Sequence, residues 1–146
     1  MKSLLCLLAV ALLASPAALA QSKVAVYSFG EPGTAAYEHL SFWVKDGKRA
    51  EIYYNYGKER TETKGTYLAR TGSANGASFA VKLSPNRTFT IIPSGTRLKV
   101  SDSSSSKPKT FAWEYEGPVN GIGTFCRECA ENPTEAMKLV RAYYLK

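Results

Sequence analysis

Leu40-Ser41-Phe42-Trp43-Val44-Lys45-Asp46-Gly47-Lys48-Arg49-Ala50-Glu51-Ile52-Tyr53-Tyr54-Asn55-Tyr56 is the stretch that decides the fold. An Asp-Gly pair between alternating apolar residues is a strong hairpin signal, because both central residues of a type I′ turn need positive φ. On the second arm Ala50, Ile52, Tyr54 and Tyr56 share one face, while Glu51, Tyr53 and Asn55 share the other. A period of two in aromatic and β-branched residues describes a half-buried strand, not a helix.

The same grammar extends in both directions. Upstream, Lys23–Phe29 reads as a strand that stops at Gly30-Glu31-Pro32-Gly33. Downstream, Lys64–Arg70 and Ala77–Leu83 flank a second hairpin, with Phe79, Val81 and Leu83 alternating with Ala80 and Lys82. Ser84-Pro85-Asn86-Arg87 turns the chain into Thr88–Ile92, and Pro93-Ser94-Gly95-Thr96 turns it into Arg97–Ser101. Asp102–Pro108 is a serine-rich stretch that reads as a mobile loop. Thr110–Glu116 places Phe111, Trp113 and Tyr115 on one face and Ala112, Glu114 and Glu116 on the other. This pattern predicts a mainly β protein, an antiparallel meander of about eight short strands closed as a small barrel or folded as a sandwich.

The two ends break the pattern. Met1-Lys2 starts a basic, then apolar, leader whose Ala18-Leu19-Ala20 supplies the small residues a signal peptidase needs. Cleavage after Ala20 is the expectation, with export to the periplasm or beyond. The apolar run is too short for a stable anchor, and no cysteine follows the cleavage site for lipidation, so the mature protein is expected to be free of the membrane. Residues 21–146 then form a single domain with 18 basic against 12 acidic residues, a charge of +6. At the other end Asn132-Pro133-Thr134-Glu135 carries an N-cap, a first-turn proline and a capping-box glutamate. One C-terminal α-helix is expected over about 133–144, packed on the barrel mouth or on one sheet face.

No residue set commits to catalysis. His39 is the sole histidine, no Gly-x-Ser-x-Gly elbow occurs, and Glu114 and Glu116 are ordinary occupants of a polar strand face. No cofactor or metal is implied, because Cys126 and Cys129 lose Cys6 with the leader and lack further ligands. In an oxidising compartment the Cys126/Cys129 pair reads as a disulfide clasp between the glycine-rich loop Gly117–Thr124 and the helix. The basic charge is dispersed and interleaved with acid, as in Lys58–Lys64, which gives no nucleic-acid footprint. Asn86-Arg87-Thr88 fits a glycosylation sequon, relevant only in a eukaryotic host.

Two features suggest contact with a partner. Tyr53 points away from the core beside polar neighbours, and exposed aromatics among polar groups suit carbohydrate or protein surfaces. Gly117, Asn120, Gly121 and Gly123 lie in a loop whose glycines permit close backbone approach to a ligand. The leading expectation is a small exported binding protein, inhibitor- or immunity-like, acting on a protein or a cell-envelope glycan. The alternatives are a barrel-type carrier of a small apolar ligand and a thiol-disulfide redox protein using Cys126 and Cys129.

Overall fold

The computed structural model describes residues 22–73, 76–115 and 128–146. Eight strands run as an antiparallel meander: β1 (Ser22–Phe29), β2 (Glu38–Lys45), β3 (Lys48–Tyr56), β4 (Thr61–Ser73), β5 (Gly76–Ser84), β6 (Arg87–Ser94), β7 (Arg97–Asp102) and β8 (Lys109–Trp113). Since β1 pairs with both β2 and β8, the sheet closes into a barrel. A two-residue strand, β9 (Glu128–Cys129), and one helix, α1 (Pro133–Tyr144), follow. Of the two architectures compatible with a meander, the barrel is the one formed.

Closure at β1 is divided between two segments. Tyr27 and Ser28 pair with Trp113 and Ala112 of β8, whereas Lys23 and Val24 pair in parallel with Glu128 and Cys129 of β9. The Val26 carbonyl accepts from Glu114 N–H and the Val24 carbonyl from Ala130 N–H, both at 3.0 Å. The two segments together supply backbone partners along an edge that β8 is too short to cover alone.

Local chemistry explains the corners. Asp46 and Gly47 adopt φ of 53° and 67°, the conformation that the β2–β3 turn requires. The long strand β4 changes partner along its length, pairing with β3 through Thr61–Gly65 and with β5 from Thr66 onward. Gly65 stands where the partner changes. A Cβ there would lie 2.7 Å from Val81 Cγ1 and 3.3 Å from Ile52 Cγ2, so the absent side chain is what lets the strands approach.

The barrel interior is filled by side chains. Phe42 packs edge-on against Phe79 at 5.8 Å and against Tyr144 of the helix at 5.3 Å, with Tyr27 beyond it at 6.2 Å. Leu40, Ile91, Leu98 and Phe111 are fully buried around them. Helix α1 lies at the end where the β2–β3 and β6–β7 hairpins turn, and it contributes Ala136, Met137, Val140 and Tyr144 to this same core. The Tyr144 hydroxyl donates to the carbonyls of Trp43 at 2.8 Å and Glu51 at 3.3 Å, fixing the helix to β2 and β3. Asn132 caps the helix by accepting from Glu135 N–H at 2.9 Å, and Glu135 accepts in return from Glu131 N–H, one residue earlier than a capping box.

Three details differ from the expectations above. Ala50 and Tyr56 share the inward face of β3 by parity, yet both are exposed. Ala50 sits at a shift of register between Phe42 and Val44, and Tyr56 lies at the barrel rim stacked 5.4 Å from Tyr54. The serine-rich loop is hydrogen-bonded. Asp102 accepts from Ser104 N–H and Oγ, and the Ser103 hydroxyl accepts from Thr88 N–H. Finally β8 ends at Trp113, leaving Tyr115 exposed beyond it.

Candidate functional site

Strand parity and register assemble one outward-facing lattice from β2, β3 and β4. Pairing aligns His39 with Asn55 and Asn55 with Glu62 in one row, and Ser41 with Tyr53 and Tyr53 with Lys64 in the next. Trp43 follows at the register shift, opposite Ala50 and Glu51. Such irregularities bend a strand and re-aim its side chains. The result is a groove of about 480 Å³ lined by His39, Ser41 and Trp43 of β2, Glu51, Tyr53 and Asn55 of β3, Arg60 of the β3–β4 turn, and Glu62 at the start of β4.

Several side chains of this groove are held in place. The Tyr53 hydroxyl donates to Glu51 Oε2 at 2.5 Å, and Lys64 Nζ donates to Glu51 Oε1 at 2.5 Å. Those two bonds, that from Lys64 first, hold the Glu51 carboxyl below the usual carboxylate range, and the same carboxylate raises the Tyr53 phenol and the Lys64 ammonium. Trp43 Nε1 donates to Ser41 Oγ at 3.2 Å. Arg60 donates to the Tyr37 hydroxyl at 3.2 Å and stacks over that ring, while Tyr37, fully buried, donates onward to Glu114 at 2.8 Å. His39 is only 5% exposed and lies against the Tyr37 ring.

Trp43 also connects the groove to the chain terminus. Its ring packs against Val24 and Val26, a small apolar cluster against which Cys129 also packs. Cys129 is half-buried there on β9. Gly117, Asn120, Gly121, Gly123 and Cys126 lie outside the described residues, as does Glu116. Of the binding residues expected from sequence, Tyr53 is the one the structure places, and it places it at the centre of the lattice. Sequence reasoning set Glu51 and Asn55 on the same face as Tyr53 but missed Ser41, Trp43, Arg60 and Glu62 as its companions. The available signal was the parity of positions 39, 41 and 43, which matches that of 51, 53 and 55 across the Asp46-Gly47 turn.

A shallower cleft of about 370 Å³ lies between the β2–β3 turn and the end of α1, bordered by Lys48, Arg49, Tyr143 and Lys146. Arg49 is engaged there, donating to the Tyr143 carbonyl at 2.8 Å and stacking 4.1 Å over Tyr67, which suits a cation at a helix C-terminus. Among the described residues no group of three His, Cys, Asp or Glu gathers as a metal site, and no described helix is long and apolar enough to cross a membrane. No family model, curated protein or solved structure matches the chain.

Proposed function

We propose that the chain is a small exported binding protein that engages a protein or cell-envelope glycan through the outer barrel face centred on Tyr53. The carrying observation is the gathering of Trp43, Tyr53 and Asn55 into one groove in which Ser41 holds Trp43 and Glu51 holds Tyr53. Side chains held before binding lose less entropy on association. The barrel lumen supports a ligand role less well, because Phe42, Phe79, Tyr27 and Tyr144 occupy it. Cys126 and Cys129 enter this reading as a clasp that steadies the segment behind Trp43, and the leader before Gln21 as the export signal.

The test is a pull-down from envelope extract with the mature chain and its Tyr53→Ala variant, each checked for an unchanged melting temperature. A specific partner retained by the first and lost by the second supports the reading. Equal capture by both chains, or none by either, sinks it.

A further inference from the structure

We infer that the Tyr53 groove is a subsite for an uncharged oligosaccharide, an inference that rests on the binding reading above and narrows its partner class. The argument comes from the balance of charge and hydrogen-bonding groups. Glu51 has both carboxylate oxygens engaged, one by Tyr53 and one by Lys64, so its charge is neutralised within the site. Arg60 is likewise turned toward Tyr37 and, through it, Glu114. The exposed Arg60 and Glu62 at one edge are opposite in sign, as are Lys64 and Glu51, so a strongly charged ligand finds no net complementary charge.

What the groove does offer is donors and acceptors side by side. The Tyr53 phenol proton is committed to Glu51, which leaves the phenol oxygen as an acceptor. Ser41 Oγ accepts from Trp43, which leaves its own proton to donate. Asn55 carries both kinds of group on one amide, in the row next to Tyr53. Sugar hydroxyls both give and receive hydrogen bonds, and sugar rings present apolar C–H faces that rest on aromatic rings such as Tyr53 and Trp43. Both rings are half-buried, so each has a fixed edge and an open one. A polyhydroxylated, uncharged chain meets all of these conditions together.

The experiment titrates the mature protein with two uncharged oligosaccharides, chitohexaose and cellohexaose, and with polycationic chitosan and polyanionic oligogalacturonate of matched length. Calorimetry and tryptophan fluorescence are the readouts. The expected result is saturable binding of at least one uncharged oligomer, insensitive to added salt because no charges are screened. Tyr53→Ala and Asn55→Ala should each weaken it about tenfold, the loss of one stacking or hydrogen-bonding contact, with melting temperature unchanged. Failure of both uncharged oligomers to bind, preference for a charged one with strong salt dependence, or indifference to Tyr53→Ala each overturns the proposal. If Tyr53-dependent capture of a protein survives while both uncharged sugars fail, the face is a protein-binding site and only this inference falls. If capture is also independent of Tyr53, the binding reading falls with it.

Discussion

Arg87 shows how single residues finish the barrel end remote from the helix. Its guanidinium donates to Asp102 at 2.7 Å and to the Tyr54 hydroxyl at 3.2 Å, and it lies over the rings of Tyr54 and Phe89. Lys109 pairs with Glu38 beside it and covers Phe29. Burial pushes the Asp102 carboxyl up, but hydrogen bonds from Arg87 and from Ser104 outweigh it and hold the group below its ordinary 3.8. A depressed carboxylate stabilises the fold fully above its unfolded value and loses that contribution as pH falls through the folded one. Asp102→Asn should therefore cost roughly 1–2 kcal/mol at neutral pH, in line with a partly buried charged hydrogen bond. The difference in melting temperature between wild type and variant should hold from pH 7 to about pH 5 and shrink below pH 4. A gap that stayed constant down to pH 2 would contradict the assignment.

At the scale of elements, the helix and the long strand β4 carry the clearest consequences. Tyr144 ties α1 to two carbonyls in the core, so Tyr144→Phe leaves buried acceptors short of a donor. Urea denaturation should show a loss of about 1–2 kcal/mol, and an unchanged midpoint would remove the hydroxyl from the account. Gly65→Ala improves strand propensity in general terms, yet here the added methyl meets Val81 and Ile52. The variant should be destabilised by about 1–3 kcal/mol, as overpacked cores are, and by less in a Val81→Ala background. Much of the element plan was legible beforehand, because turn residues mark corners whatever their tertiary setting. Asp46-Gly47 needed positive φ, and the alternation of Phe79, Val81 and Leu83 needed one buried face. Gly65 was not legible as a corner, since it is the second residue of Lys64–Arg70, a run that reads as one strand, and its reason is a neighbour 16 residues away. The groove was legible only on β3, as the shared face of Glu51, Tyr53 and Asn55. Its other members meet through the register of three strands, and register depends on every pair in the ladder rather than on any local residue.

Helix and barrel share one core across the whole molecule, and that predicts joint unfolding. Tryptophan fluorescence, reporting Trp43 and Trp113, and far-ultraviolet circular dichroism should give coincident guanidinium transitions. A helix signal lost at lower denaturant would show that α1 is an appendage. The divided edge of β1 has a different outcome, in time rather than in energy. The first strand of the barrel is completed by residues near the far end of the chain, Trp113 and then Cys129. One edge of β1 pairs with β2 in the next hairpin, but its other edge must wait for β8 and β9, until nearly the whole barrel sequence is available. Contacts so distant in sequence slow folding. During that interval β1 offers unpaired backbone to any other chain at the same stage. Refolding yield should accordingly fall as protein concentration rises, measured by light scattering on dilution from denaturant. In a cell, a barrel that cannot close until Lys109–Trp113 and Glu128–Cys129 are made stays open through most of its synthesis.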